Sequence, residues 1–596
     1  MKVIKKILSK NYLKDLKMSK YYNYVINYKL HKNNIFIECN NIDIISDILK
    51  SELNEKYNIY ITSKEKIDCE NFVLYESSKY YKLLSNCKYI ITDSLLNDWY
   101  IKKDNQVVIS YFNINRDDYL GRYSEDNYFD IGNIQRTLMN SDYIIFNSKE
   151  SNIINNYMVD NLVNGKIIYS KLFIKTIENI IFDNKLKYEE LRINNKENIL
   201  IYGGNLAKNG ITSSLKNLLS SVDLDKRNYY VVYDTKTALK NKDVVLSLPQ
   251  KVKYLAINSN TIMDFKTNIK FHMFRANIIK INGIEKEIIK SYKLDIKRLF
   301  PQMKVDSAIQ FGGYDFRKIF LFSAFDSNRI IYVHSNMLDE IKLRHIQHRR
   351  TLEYAYNKYD KVAIVSDAMY ESTYKISKNK DNIFTAVNLI DYKGIINKSK
   401  EEIKFDDYTT CNIQFDKLKE ILNTNSKKFI SIGRFSKEKG HERLINSFNR
   451  IYKENKDVYL IIIGGEGKEY DKTISLINSL DCKNNIIIIK NISNPYSILS
   501  KCNYFVLSSF YEGFGLVLAE ADILGLSVIS TDIDGPRKFM NDNNGVMVDN
   551  NEDGIYYGMC KLLNNEIKPM NVDYEDYNKK ALKEFYNLLD GGKYEK

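Results

Sequence analysis

From about residue 34 onward, short apolar runs rich in Ile, Val, Tyr and Phe alternate with longer polar stretches, a pattern that predicts strands separated by helices. A first series comprises NIFIE at 34–38, YNIYIT at 57–62, KYIIT at 88–92, VVIS at 107–110, YIIFN at 143–147 and KIIYS at 166–170. A second comprises NILIY at 198–202, YYVVY at 229–233, VDSAIQF at 305–311, IIYVH at 330–334, KVAIVS at 361–366 and NIFTAV at 382–387. The third reads KFISI at 428–432, VYLIII at 458–463, NIIIIK at 485–490, NYFVLSS at 503–509 and SVIST at 527–531. Alternating strands and helices argue for parallel-sheet α/β domains. The expected class is α/β, with three Rossmann-like units in succession. Polar stretches near 184–197 and 393–425 divide the series, giving expected segments at 1–30, 31–195, 196–392, a linker at 393–424, and 425–596.

The segment 1–30 sets Val3, Ile4, Ile7, Leu8 and Leu16 among Lys5, Lys6, Lys10, Lys14, Lys17 and Lys20. This is the pattern of a basic amphipathic helix, suited either to an anionic membrane surface or to an ordinary protein surface. The 596 residues carry 44% hydrophobic and 13% aromatic side chains, enough for several cores and far from the composition of a disordered chain. The formal charge of +14 favours anionic partners without choosing among nucleic acid, lipid and nucleotide phosphate. No nucleic-acid recognition motif accompanies it, so nucleic acid is not expected as a partner. Seven scattered cysteines form no C-x-x-C pair or zinc-spaced cluster, and no apolar run reaches the length of a membrane span. The expectation is a cytoplasmic protein without a structural metal, peripheral on the inner face of the membrane.

Candidate chemistry concentrates in the third series. Its first strand ends in Gly433-Arg434-Phe435-Ser436-Lys437-Glu438-Lys439-Gly440, ahead of a helix marked by Leu444, Phe448 and Ile451. Loops at the carboxyl ends of parallel strands are where ligands bind in such sheets, and Arg434 with Lys439 suits a diphosphate, although a basic loop is equally compatible with simple solvation. The strand at 458–463 runs into Gly464-Gly465-Glu466-Gly467, which either admits a ligand to the backbone or makes a tight turn. Then come Ser508, Ser509, Phe510, Tyr511, Glu512, Gly513, Phe514, Gly515, Leu516 and Val517, with Glu520 farther along the helix. Backbone amides at 513–517 would face an anion at the helix start. Glu512 and Glu520 are far enough apart to touch different parts of one extended ligand, or else serve as a helix-start charge and a solvated face.

The order Gly-Arg-x4-Lys-Gly, Gly-x-Gly and Glu-Gly-Phe-Gly-x4-Glu-Ala, followed by Thr531-Asp532-x2-Gly535-Pro536, resembles the nucleotide-sugar half of a family 4 glycosyltransferase of the GT-B fold, over about residues 425–565. That resemblance implies a GT-B pair of Rossmann-like domains preceded here by an additional Rossmann-like α/β domain. It implies retaining transfer from a nucleoside-diphosphate sugar without an obligatory metal or other cofactor. Arg434 and Lys439 would stabilise the leaving diphosphate, Glu512 would contact the donor sugar and Glu520 the ribose hydroxyls. On the acceptor side, Gly203, Gly204 and Gly210 resemble the family's glycine-rich first loop, and His334 ends a strand where such enzymes often carry a cleft histidine. Ser366 and Asn388 match a strand end and the interdomain crossover. His345 and His348 beside Arg349 and Arg350 lack the partners of a metal set and read as a basic surface.

Residues 88–113 and 142–148 resemble the amino-terminal half of the CDP-glycerol glycerophosphotransferases of teichoic acid synthesis. That family's His-Gly-Thr motif is replaced here by Tyr111-Phe112-Asn113, which removes the expected base. The expected function is therefore glycosyl transfer from a nucleotide sugar to a cell-surface polymer or lipid-linked acceptor of teichoic acid or capsule type. The alternatives are a CDP-glycerol-dependent glycerophosphotransferase and a non-catalytic partner of another transferase.

Overall fold

The computed structural model describes residues 10–63, 67–112, 128–148, 153–191, 193–257, 261–344, 347–465 and 467–590. The chain forms two compact units: residues 1–212 with 223–330, and residues 213–222 with 331–596.

The first unit holds a six-stranded parallel sheet of β1 (His31–Glu38), β2 (Asn58–Thr62), β3 (Cys87–Thr92), β4 (Val107–Phe112), β5 (Tyr143–Phe146) and β6 (Lys166–Tyr169), in the order β2-β1-β3-β4-β5-β6. Both faces are covered, which explains the uninterrupted apolar runs. Ile35 and Ile37 pack with Ile45, Ile48 and Ile177 on one side, while Phe36 packs with Tyr21, Tyr80 and Trp99 on the other. Burying each such side chain fully is worth roughly 1.5–3 kcal/mol. The helix Lys10–Asn27 sends Met18, Tyr21, Tyr22 and Val25 into the second of these cores. The apolar positions of the helix at 18–25 are thus used by protein. The pattern assigned to residues 3–8 lies outside the described residues, as does Asn113.

The same unit contains β7 (Glu197–Tyr202), β8 (Arg227–Asp234), β9 (Lys253–Ile257) and β10 (Ser307–Gln310), parallel in the order β10-β7-β8-β9. Buried polar contacts tie these strands to the six-stranded sheet. Gln135 donates to the Tyr254 carbonyl at 2.7 Å and accepts from the Ala256 amide at 3.0 Å. Arg298, paired with Asp295 at 2.9 Å, donates to the Asp98 carbonyl at 2.6 Å.

β11 (Asn328–Val333) carries the chain into the second unit, where β12 (Lys361–Ile364) and β13 (Ile383–Thr385) pair in parallel. There too lies a seven-stranded sheet of β14 (Thr410–Cys411), β15 (Lys427–Ile432), β16 (Val458–Gly464), β17 (Ile486–Lys490), β18 (Tyr504–Leu507), β19 (Ser527–Thr531) and β20 (Val546–Val548). Its order is β14-β17-β16-β15-β18-β19-β20, parallel except for β14, which is antiparallel to β17. The sequence expectation of parallel α/β units is met, and every predicted strand is present. The expectation omits β9, β14 and β20.

The final helix, Tyr574–Leu589, is anchored at its start by Asp522. The buried Asp522 carboxylate accepts from the amides of Met570 at 2.8 Å, Asn571 at 3.0 Å and Val572 at 3.2 Å, and from the Tyr574 hydroxyl at 2.9 Å. Farther along, Asn578 bonds both the amide and the carbonyl of Ile390, and Glu584 accepts from the Val387 amide at 3.0 Å. Asp522→Ala would strand several buried donors at once. We expect a loss of about 3 kcal/mol, read as a lower urea midpoint for the transition of the second unit.

Candidate functional site

The seven-stranded sheet reverses its winding between β15 and β18: β16 and β17 extend one way, β19 and β20 the other. In an open α/β sheet the crevice outside the strand ends at such a reversal is the natural ligand site. The motifs at 433–440 and 508–520 are the loops that follow these two strands.

Lys439 and Glu512 meet there, joined by an ion pair between Nζ and Oε1, with side chains 16% and 15% exposed. Ser509 donates to the same Glu512 oxygen at 2.7 Å, and Ser508 Oγ donates to the Lys439 carbonyl at 2.9 Å. The aliphatic stem of Lys439 crosses Gly433, where a β-carbon would lie 3.1 Å from the lysine Cδ. Arg443, one turn into helix His441–Glu454, fixes the Ser508 carbonyl through Nε at 2.8 Å and Nη2 at 2.6 Å, and its guanidinium stacks on Phe510 at 3.8 Å. Burial, with the nearby Lys439 cation as the second cause, lowers the pKa of His441 to about 4, so the ring is neutral beside that lysine. Arg434 is the more accessible cation, 52% exposed and paired with Glu438 at 3.2 Å.

The glycines hold backbone against backbone. A β-carbon on Gly464 would fall 2.3 Å from the Gly433 carbonyl oxygen, and one on Gly467 1.8 Å from that of Phe435. Gly465 has only the Asn491 side chain nearby, at 3.8 Å, so its neighbourhood is open. At the second loop, a β-carbon on Gly513 would lie 1.8 Å from the His334 carbonyl oxygen, and one on Gly535 2.4 Å from that of Glu512. Gly515 caps helix Leu516–Ile523 at φ +81°, a left-handed conformation that a side chain would strain.

Leu516 and Val517, in the first turn of that helix, are partly buried. Phe514 packs its ring against Phe539 at 5.3 Å and Tyr577 at 6.4 Å, which leaves its backbone as what it offers a ligand. Glu520 is partly buried and hydrogen-bonded to the Tyr496 hydroxyl. Burial raises its pKa to about 7, against the opposing pull of Tyr496 and Lys398. The His334 ring is buried and stacks on Tyr332 at 5.7 Å. Ser366 and Asn388 are buried.

In the first unit, the order β10-β7-β8-β9 places its own reversal between β7 and β10. A β-carbon on Gly312 would lie 2.9 Å from the Gly204 α-carbon, while Gly210 faces open space and Gly203 is buried. Glu466 and His345 lie outside the described residues. His348 Nδ1 is 2.7 Å from Thr351 Oγ1. Among the described residues, no group of three or more His, Cys, Asp or Glu is arranged to hold a metal ion.

Sequence reasoning brought Lys439 and Glu512 to one fold edge but did not pair them, and it did not single out Ser509, Arg443 or Glu438. Arg443 carries a local signal, since it lies one helical turn beyond Gly440. The Lys439–Glu512 pairing carries none, because it depends on β15 and β18 being neighbours.

Residues 412–581 match the family model described as glycosyl transferases group 1. Over 268 residues, 44% of this chain and 61% of the relative, the sequence is 31% identical to an uncharacterized glycosyltransferase of Methanocaldococcus jannaschii. Over 173 residues, 28% of this chain and 45% of the relative, it is 32% identical to the capsular polysaccharide biosynthesis glycosyltransferase CapM of Staphylococcus aureus. The chain thus spans between about half and three fifths of the length of these curated relatives. Among solved structures, Staphylococcus aureus TarM in complex with fondaparinux, alpha-GlcNAc-glycerol and UDP aligns over 66% of this chain and 99% of that one, with a TM-score of 0.47 and 15% identity.

The raised pKa of Glu520 has a consequence for stability. From pH 4.5 to about 7 the unfolded chain gives up this proton while the folded chain keeps it, so the group makes stability fall with rising pH through that window. Relative to wild type, Glu520→Gln should therefore gain stability from pH 4.5 to 7 and level off above it, measured by urea midpoints across pH.

Proposed function

We propose that this chain, whose residues 412–581 form a group 1 glycosyl transferase domain, transfers a sugar from a nucleoside-diphosphate donor to a cell-surface polymer or lipid-linked acceptor, with retention of configuration. One observation carries the reading: two loops from either side of the sheet's reversal bring Lys439, Glu512 and Ser509 into contact beside the start of helix Leu516–Ile523.

The donor diphosphate binds at that helix start, where backbone amides and the helix dipole favour negative charge. It draws the Lys439 ammonium away from Glu512 and takes Arg434 as a second cation. Both cations gain in value as the bond to the leaving phosphate breaks, because negative charge grows on the phosphate oxygen. Glu512, held by Ser509, then accepts hydrogen bonds from donor sugar hydroxyls, and Glu520 takes the ribose diol. The acceptor oxygen forms its bond to the anomeric carbon on the face that the phosphate leaves, and the acceptor proton passes to the departing phosphate oxygen. No side-chain nucleophile enters this scheme, and Lys439, Arg434 and the helix amides meet the phosphate charge without a metal.

His334 and the loop with Gly203, Gly204 and Gly210 belong to the acceptor side in this reading. The capsule enzyme among the relatives supports a polymer acceptor. The lysine-rich segment 1–30 and the charge of +14 support peripheral attachment to the inner face of an anionic membrane. Among the described residues, no helix is long and apolar enough to cross a membrane.

The test is incubation of the purified chain with a panel of nucleotide sugars and CDP-glycerol, following binding and slow hydrolysis. Nucleotide-sugar turnover is expected, with Lys439→Ala lowering it by a factor of about 100–1,000 at unchanged thermal stability. CDP-glycerol turnover instead would establish the glycerophosphotransferase alternative, and absence of any donor binding would establish the non-catalytic one.

A further inference from the structure

The six-stranded sheet has its own reversal of winding, between β1 and β3, and the chemistry collected there differs from that of the seven-stranded sheet. Thr62, Glu38, Thr92 and Ser110 are successive register partners on β2, β1, β3 and β4. Being in register, the four polar side chains form a row on one face, next to the apolar and aromatic row of Tyr60, Phe36, Ile90 and Val108. Phe36, two positions before Glu38 on that face, meets Tyr80 at 5.4 Å, so the row lies on the side of helix Ser78–Asn86.

Tyr80 Oη donates to Glu38 Oε2 at 2.8 Å, and Asn97 Nδ2 reaches the same hydroxyl at 3.5 Å. The Tyr75 hydroxyl donates to Asn97 Oδ1 at 3.1 Å. The Thr62 hydroxyl, fully buried beside Glu38 in the row, has no hydrogen-bond partner among the described residues. A buried hydroxyl left unbonded is costly.

The adjoining anion seat is already filled. The amides of Asn40 and Asn41, at the start of helix Ile42–Lys50, are the groups that would hold a phosphate in such a fold. They donate instead to the Asp93 carboxylate, Asn40 at 2.9 and 3.1 Å and Asn41 at 3.0 Å. Glu38 adds a second negative charge: burial, then Asp93, then Glu38 push the Cys39 thiol pKa far up. A phosphate arriving here would meet two carboxylates and find its amides taken.

We propose that the β1/β3 reversal is a second ligand site, for a neutral polyhydroxylated group carrying a vicinal diol, held by Glu38 and Asn97, with the buried Tyr80 positioning Glu38, and closed to phosphate by Asp93. A carboxylate accepts from two adjacent hydroxyls at once, and the Asn97 amide supplies a complementary donor and acceptor. The inference stands independently of the donor-site reading, since it uses none of the same residues. The diol belongs either to a glycosyl residue or to a free polyol.

Saturation-transfer NMR on the full chain, with excess UDP present throughout, tests this with methyl α-glucopyranoside, glycerol and inorganic phosphate as separate probes. The glycoside or glycerol should give a signal, and whichever does identifies the source of the diol. Glu38→Gln and Tyr80→Phe should each weaken it about tenfold at unchanged melting temperature. Tyr80→Phe keeps the ring against Phe36 and carries the test if Glu38→Gln fails to fold. Absence of signal from both polyols, a signal indifferent to Tyr80→Phe, or displacement by inorganic phosphate in the wild type would each overturn the proposal.

Discussion

The Lys439–Glu512 contact joins residues 73 positions apart, and most of the candidate site follows from it. A lysine and a glutamate held together with little exposure lose much of their hydration, which is tolerable only where further bonds fix the geometry. Ser509 supplies such a bond to Glu512, and Arg443 fixes the Ser508 carbonyl next to it. The pair sets a cation beside a carboxylate held by Ser509 at one edge of the sheet. In the proposed reaction an arriving diphosphate competes with Glu512 for the ammonium, and the carboxylate then serves hydroxyl groups. On that proposal, binding of the donor phosphates and recognition of the sugar are coupled through this single exchange.

Backbone packing makes the exchange possible at that spot. Gly464 and Gly467 bring the loop after β16 against the carbonyls of Gly433 and Phe435, and Gly513 sits against the His334 carbonyl. A β-carbon at these positions would fall 1.8–2.3 Å from a carbonyl oxygen, well inside contact distance, so the glycines act first on loop spacing. The winding reversals then distribute different chemistry over similar scaffolds. At the β15/β18 reversal the strand ends deliver cations; at the β1/β3 reversal an internal carboxylate, Asp93, fills the amides that an anion would use.

Much of the fold was legible in the sequence because Ile-rich strands covered on both faces leave unbroken apolar runs. The omitted strands have physical reasons: β14 has two residues and β20 three, while β9 begins at a lysine whose Nζ pairs with Asp160 at 2.7 Å. The motifs at 433–440 and 512–520 were legible because their spacing is local. Their mutual contact was not, since strand order is invisible to a local pattern. Glu38 and Asp93 passed unnoticed for a related reason, as a lone carboxylate at or just past a strand's end looks like any turn residue until register sets its neighbours.

The central claim is that Lys439 leaves Glu512 to hold a diphosphate. Calorimetric titration of UDP into the wild type, Lys439→Ala and Glu512→Gln measures it directly. The account predicts binding about tenfold or more weaker in Lys439→Ala and no weaker in Glu512→Gln, because the second change removes the group that competes for the cation. Equal affinity in wild type and Lys439→Ala would contradict it.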